Sequence, residues 1–415
     1  MLRSAWTTDP FARGSHSFIP TGSTPAGRED LATPVLGRLF FAGEATSTDL
    51  PGTVLGAQAS GSRAASQVAS VAQPGERIAV IGAGVAGAEA ARNLTLAGYN
   101  VVVIEARNRV GGRIDSRKSS SWPVGVELGA WRLARQPDAV LLSQLTSLGV
   151  QTNPLSPSLL ASTSASGTAD PIGSKAVADA AAWAAAQPTD SSLERALDKS
   201  GAARAADGTD VNGLAGSGLL DHQLQWIATA TGADPSALSS WYAVNDIAAY
   251  DRVVTGGFDR LVTDALTGVT TSLSTAVAGV SYGDSGVSLK LGTGESLAVD
   301  RAVVTVPLGV LKRGSITFGP LLPLAHRSAI AEIGVGTVET VWLRFNKPFW
   351  STDAAAWGLV GTDNDITNWV NLEAITGEPV LVGIVGGRAA RDIVGLSDDE
   401  LLTAAMRSLE PFAEL

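Results

Sequence analysis

Gly82, Gly84 and Gly87, with Glu105 about 20 residues beyond, have the residue types and the spacing to hold a dinucleotide. Gly82 permits a tight bend, Gly84 lets backbone approach a pyrophosphate, and Gly87 lets a helix close on the strand before it. Glu105 is placed to accept hydrogen bonds from both ribose hydroxyls and would repel a ribose 2′-phosphate, which argues against NADP. Arg109-Val110-Gly111-Gly112-Arg113 adds two guanidiniums, planar and permanently charged forks for phosphate oxygens, around glycines that allow close backbone approach.

These groups need a strand–turn–helix–strand frame. Residues 78–81 are apolar and mostly β-branched, the pattern of a buried strand. The helix expected over 86–96 directs its first N–H groups and its dipole at the phosphates. Gly98 stops it, and a second apolar strand, 101–104, ends at Glu105. A second strand-to-helix unit lies earlier in the chain. Arg38 to Thr46 reads as a short buried strand ending at Gly43-Glu44, and Pro51-Gly52-Thr53-Val54 opens a helix running to about Val71.

Taken together, Gly82 to Arg113 resembles the FAD-binding signature of the flavin amine oxidases, the family of monoamine and polyamine oxidases and histone-lysine demethylases. The resemblance extends over Glu127-Leu128-Gly129-Ala130-Trp131, Gly256-Gly257-Phe258 with Leu261, Val304 to Leu311, and Trp342 to Trp350. It implies an α/β fold, an FAD-binding doubly wound (Rossmann-like) domain interleaved with an α+β substrate domain. It also implies FAD-dependent oxidation of a primary or secondary amine by hydride transfer to flavin N5, giving an imine and then an aldehyde, with O₂ reduced to H₂O₂. Such chemistry asks little of protein side chains beyond orientation and an apolar site, so the lack of a hydrolytic triad or zinc cluster is in keeping with it.

Residues 1–72 resemble the family's C-terminal flavin-binding motif, which here opens the chain; the implied order is that of a circular permutant, with Gln73 to Arg77 as a short bridge. The expected division is therefore 1–72 and 73–150 in the FAD domain, 151–255 as the helical part of the substrate domain, 256–312 back in the FAD domain, and 313–415 as the substrate domain's sheet.

The resemblance assigns roles residue by residue. Gly82, Gly84, Val85, Ala86, Gly87, Glu105, Ala106, Arg107, Gly111, Gly112 and Arg113 would hold the nucleotide. Val277 would lie on the adenine side, and Leu128, Gly129, Ala130 and Trp131 against the flavin. Gly43 and Glu44 would meet the ribityl and phosphate region, and Thr53 and Val54 would offer N–H groups to the flavin's N1/C2 edge. Trp6, His16 and Thr340 are the expected catalytic positions. Trp6 matches a tryptophan beside the isoalloxazine. His16 stands where the family carries an aromatic cage wall, often Tyr; if protonated it would repel an ammonium. Thr340 stands where the family places a lysine tied to the reaction with oxygen; Lys347 is a poorer match because it lies beyond the strand. Ser15 replaces the cysteine bonded to flavin in some members, and the chain has no cysteine, so FAD is expected to be non-covalent.

Composition bounds the rest. A chain of 415 residues exceeds what one core usually serves, and 45% hydrophobic with 17% charged is ordinary for a globular protein. A net charge of −10 without clustered Lys and Arg argues against nucleic acid. The N-terminus has no apolar core of signal-peptide length and no stretch has the apolar length of a membrane span, which makes a cytoplasmic location the expectation. The expected partners are a small-molecule amine and O₂, with a homodimer allowed.

Further expected elements are helices at 139–148, 176–186, 193–197, 222–231, 235–240 and 398–409, and strands at 274–282, 287–291, 297–306, 333–345 and 380–385. Substrate-pocket residues are expected from 151–250 and 350–375. Trp350, Trp357 and Trp369 fit either a pocket wall or a core, and Asp363 and Asp365 either a polyamine site or a solvated loop. The alternatives to an amine oxidase are an amine dehydrogenase using another acceptor, a desaturase-like or protoporphyrinogen oxidase-like enzyme of the same fold, and a flavin-binding protein without turnover. The desaturase-like class shares Gly82 to Arg113 but not the Trp6 and Pro51-to-Ala57 pattern.

Overall fold

The computed structural model describes all residues except 135–138, 163–164, 168–170, 243–249 and 414–415. Its organising element is a parallel sheet of five strands among the described residues: β1 (Leu39–Phe41), β2 (Arg77–Ile81), β3 (Asn100–Ile104), β4 (Thr270–Ser272) and β5 (Arg301–Val304). Their spatial order is β4-β3-β2-β5-β1. Ile78, Ala79, Val80 and Ile81 are all buried, as a central strand covered on both faces requires. The register aligns Ile81 with both Ile104 and Val304, and Val304 with Phe41, so four strands end at one edge. Ligands of doubly wound sheets bind beyond that carboxyl edge.

Two helices leave this edge: α1 (Val54–Ala69), after the loop that follows β1, and α2 (Val85–Leu96), after β2. They pack so closely that a Cβ on Gly61 would lie 2.3 Å from the Ala86 carbonyl oxygen. A four-stranded sheet (strands at 277–283, 286–291, 296–299 and 317–319) lies alongside.

The second large sheet has seven strands among the described residues. Leu2–Arg3 pairs antiparallel with β6 (Val338–Arg344), which pairs with β7 (Val380–Gly386) and continues through Asn368–Asn371, Ala356–Leu359, Ser158–Ala161 and Ser166–Gly167. Helix α3 (Gly216–Thr231) covers β7; a Cβ on Gly386 would lie 2.0 Å from the Ala228 carbonyl oxygen. No described helix is long and apolar enough to cross a membrane.

Several expected elements differ. Residues 297–306 form two strands in two sheets, broken at Asp300, whose carboxylate accepts from Arg77 N at 2.7 Å while its N–H donates to the Arg77 carbonyl. The strand expected from 274 begins at Val277, because Ser274 is held left-handed (φ 53°). The strand expected over 333–345 breaks after Val335, because Gly336 fits against the Thr231 carbonyl with no room for a Cβ. Residues 235–240 are not a helix: the Ala237 and Leu238 carbonyls accept from Thr21 and Leu193, and Ser239 N donates to Ile19. Tertiary partners claimed the backbone groups a helix would have used. The other expected helices form with longer or shifted ends, at 139–147, 172–185, 193–200 and 216–231.

Candidate active site

Beyond the carboxyl edge of the parallel sheet lies one cavity of about 430 Å³, within the size range of small-molecule sites. Every residue that the resemblance assigned by role to the cofactor or to catalysis lines it except Gly87, and Arg109 does not line it either. Gly87 acts from behind: a Cβ there would lie 1.9 Å from the Gly82 carbonyl oxygen, so its role is to let α2 close on the turn. Gly82 itself is at φ 110°, a conformation that side chains resist.

Glu105 is buried, and its carboxylate accepts from Ala83 N at 2.7 Å and from Arg107 N at 2.8 Å. It therefore fixes the glycine turn as well as facing the cavity. Arg107 Nη1 donates to both Asp9 carboxylate oxygens, at 2.8 and 2.7 Å, and the guanidinium lies over the rings of Trp6 and Phe11. Through this pair the segment 6–11 is clamped to the nucleotide half.

The phosphate role expected of Arg109 is not what the structure gives it. Its guanidinium donates to the Val110, Gly112 and Ile114 carbonyls and pairs with Asp115, and it does not line the cavity. Tying the 109–115 loop into shape uses the donors that a phosphate would need. Arg113 does line the cavity but donates to the Ser15 carbonyl and to Glu44, each at 2.8 Å.

Glu44 follows β1, buried at the start of a short turn. Burial alone would raise its pKa, but Arg113, Arg28 and the Ser17 hydroxyl together bring it down to about 2. The carboxylate also accepts from Gly52 N at 3.0 Å, which docks the start of α1 beside it. Thr53 caps α1, its hydroxyl accepting from Gly56 N at 2.9 Å, so the free N–H groups of the first turn point along the cavity wall.

At the other end stand Trp6, Trp131, Leu133, Val338, Thr340 and Ile384. Trp6 is buried, and its indole N–H donates to the Leu128 carbonyl at 2.8 Å. Gly129 makes that approach possible, its absent Cβ falling 3.2 Å from the indole. The Thr340 hydroxyl is buried without a hydrogen-bond partner among the described residues and faces the cavity. Lys347 is exposed beyond β6, away from the cavity. His16 is packed so that burial lowers its pKa to about 4; Glu44 opposes the shift, while Arg113 and Arg132 add to it. Its imidazole is neutral near neutral pH, and the repulsion of an ammonium that protonation would cause is absent.

The pocket walls were misplaced by the sequence. Of 151–250 only Thr229 among the described residues reaches the cavity, and of 350–375 none does. Trp350, Trp357 and Trp369 are buried in the core beneath the seven-stranded sheet, and Asp363 and Asp365 lie exposed on a loop outside the cavity. The walls come instead from 10–16, 128–133, 305–316, 338–340 and 384. Glu339 was missed altogether. It is 1% exposed and accepts from Ser4 Oγ, Trp6 N, Thr7 N and Thr7 Oγ1, holding the Trp6 segment to β6. An acidic residue inside an apolar strand is its signal, because burial there requires partners.

Glu127, beside the Leu128–Trp131 wall, accepts from Ser116 Oγ at 2.6 Å and from Phe258 N at 3.1 Å. Burial is the largest cause raising its pKa to about 7. A folded pKa above the unfolded value favours the fold at low pH, and that contribution is lost as pH rises from about 4.5 through about 7. The stability advantage of the parent over E127Q is expected to shrink by about 3 kcal/mol between pH 4.5 and 8, read by denaturant unfolding. The comparison with E127Q removes the opposing effect of His16, whose depressed pKa costs stability as pH falls through the same range. An advantage constant with pH would contradict it.

The residues fit the expected cofactor. Gly43 (φ 128°) and Gly84 turn backbone to the cavity where a Cβ would enter it, the α2 N-terminus faces it, and its far end is aromatic and apolar. A family model described as flavin containing amine oxidoreductase matches residues 1–69 and 85–414, and one described as pyridine nucleotide-disulphide oxidoreductase matches residues 38–122. The chain is similar to polyamine oxidase 4 of Oryza sativa subsp. japonica, 29% identical over 361 residues covering 80% of this chain and 72% of that one. It is similar to polyamine oxidase 2 of Arabidopsis thaliana, 28% identical over 360 residues covering 80% and 71%. Among solved structures it resembles putrescine oxidase bound to putrescine (TM-score 0.63, 20% identity, 81% of each chain). Cyclohexylamine oxidase from Brevibacterium oxydans is similarly close (TM-score 0.65, 20% identity, 82% of each chain).

Proposed function

The chain belongs to the flavin-containing amine oxidoreductases, and on that premise we propose that this FAD-dependent enzyme converts a primary or secondary amine to an aldehyde, with O₂ reduced to H₂O₂. The observation that carries the proposal is the single cavity running from Glu105 and the glycine turn to an aromatic, apolar end walled by Trp6, Trp131, Leu133 and Ile384.

FAD, when bound, supplies the acceptor for the electron pair leaving the carbon next to nitrogen. The proposed work of the chain is positional. Trp6 and Trp131 flank the amine, Leu133 and Ile384 keep bulk water out, and neutral His16 offers a lone pair to the amine without adding a charge. The first-turn N–H groups of α1, at Thr53 and Val54, stabilise negative charge at the cofactor's reducible end. Water then hydrolyses the imine, and O₂ takes up the electron pair with two protons.

The preferred substrate is proposed to be an amine with an apolar substituent. The carboxylates on the cavity wall among the described residues, Glu44 and Glu105, are both bound by protein donors, leaving neither for a distal ammonium. A polyamine is the second reading, favoured by the names of the relatives. Thr340 is proposed to make the reaction with O₂ slow, since its hydroxyl supplies no positive charge for the developing superoxide. FAD is proposed to be held without a covalent bond.

Anaerobic mixing with mono-, di- and polyamines, followed by admission of air, tests these points together. Apolar monoamines are expected to bleach the flavin absorbance fastest. T340K is expected to speed recovery in air on the order of tenfold while leaving the anaerobic bleaching rate unchanged. No bleaching by any amine would refute the function, and equal recovery in T340K would refute the role of Thr340.

The permuted order is part of the same proposal: residues 1–72, apart from the Leu2–Arg3 strand, complete the FAD-binding half, and 313–415 contribute most of the seven-stranded sheet. The parallel pairing of β1 with β5 supports it. A crystal structure in which bound FAD touched Gly84 but lay remote from Glu44 would defeat it.

A further inference from the structure

We infer that Arg13, to which the sequence assigned no role, is the residue that neutralises the pyrophosphate of FAD. Four arginines line the cavity among the described residues: Arg13, Arg107, Arg113 and Arg132. Three are engaged by the protein. Arg107 is paired with Asp9 through Nη1, Arg113 with Glu44 and the Ser15 carbonyl through Nη1, and Arg132 donates to Thr229 and lies over Trp226. Arg109, the other candidate from the sequence, faces away into its own loop. The side chain of Arg13 makes no hydrogen bond or ion pair with any described residue, and its Nε is buried without a partner.

Its backbone is held where a phosphate ligand would need it. Arg13 N donates to the Asp9 carbonyl and Gly14 N to the Trp6 carbonyl. The Ala12 and Arg13 carbonyls press on Gly309, where a Cβ would lie within 2.7 Å of both. The segment before Gly309 is fixed to the glycine turn, since Thr305 N donates to the Ile81 carbonyl and Thr305 Oγ1 to the Gly82 carbonyl. Arg13 thus lines the same cavity as the turn whose helix N-terminus favours an anion. It does so at φ 56°, a left-handed conformation that a non-glycine residue adopts at a cost. A permanently charged side chain that is unpaired among the described residues, on a strained backbone and in a wall whose other arginines have protein partners, is explained by a ligand that pairs with it.

Glycine is at ease at this φ, so R13G removes the side chain while relieving the backbone. Holoenzyme is diluted at several salt concentrations, and released flavin fluorescence gives the FAD dissociation constant. ADP and adenosine are then compared as displacers, since only the first carries the pyrophosphate. R13G is expected to weaken FAD binding on the order of 10- to 100-fold, to flatten its salt dependence and to erase most of the advantage of ADP over adenosine. R13K is expected to recover part of each. R13G with parental affinity, or with equal losses for ADP and adenosine, overturns the assignment. A parent protein carrying no flavin would overturn the cofactor itself, an outcome read before any variant is made.

Discussion

Gly87→Ala is expected to yield a colourless protein destabilised by about 3 kcal/mol. The added methyl would sit 1.9 Å from the Gly82 carbonyl oxygen and 2.9 Å from Thr305 Oγ1. Neither neighbour can yield. Gly82 is held at φ 110° in the turn, its N–H donating to the Ile104 carbonyl, and Thr305 Oγ1 already donates to the Ile81 and Gly82 carbonyls. Helix α2 must therefore lift away from β2, carrying with it the N–H groups that face the pyrophosphate. The ratio of flavin to protein absorbance in the purified variant and its denaturant unfolding curve measure the two effects. Gly283→Ala serves as the control, since no atom lies within 4 Å of its missing Cβ and its φ is unstrained; it is expected to shift stability by only a few tenths of a kcal/mol. A yellow G87A of parental stability would show that the turn and helix are not packed as described.

The second large effect is expected of Glu339→Ala. One carboxylate receives four donors: Ser4 Oγ at 2.5 Å, Trp6 N at 3.1 Å, Thr7 N at 3.0 Å and Thr7 Oγ1 at 2.9 Å. The same Ser4 hydroxyl accepts from Thr340 N, so the anchor of the Trp6 segment also fixes the backbone at Thr340. Removing the carboxylate leaves buried donors unsatisfied, at a cost of about 3 kcal/mol. More telling is the expected kinetic signature. The nucleotide turn and Glu105 are untouched, so E339A is expected to keep FAD, while reduction by amine slows on the order of tenfold or more as Trp6 loses its position. Rapid mixing under anaerobic conditions, normalised to flavin content, reads this directly. Loss of FAD together with activity would indicate general unfolding, and parental rates would show that Trp6 is held by other contacts.

How much of this was legible beforehand depends on the range of the interaction. The turn at Gly82–Gly87, its two strands and its helix were readable within a residue or two, as was a helix opening near Thr53 and Val54. Residue by residue, much of the cavity lining from Gly43 to Trp131 was also named by the motifs. The failures share a cause. Residues 235–240 have a helical pattern but gave their carbonyls to Thr21 and Leu193. Residues 297–306 look like one strand but change sheet at Asp300. The pocket walls were sought in 151–250 and 350–375, whereas the chain brought 305–316 and 384 to the site through the order of its sheets.

By itself, then, the sequence determined the family, the nucleotide-binding unit and the places where backbone must come close to a ligand. Steric preferences of a few consecutive residues suffice for these, and glycine writes them openly. Only the tertiary structure decided which charge meets which partner. Glu339 meets Trp6 across 333 positions, Arg107 is taken by Asp9, Arg109 turns into its own loop, and Arg13 is left over to face the cavity. A charge within hydrogen-bonding distance of another interacts far more strongly than one a turn away, and that distance is set by how sheets and loops close on each other, which no local pattern carries.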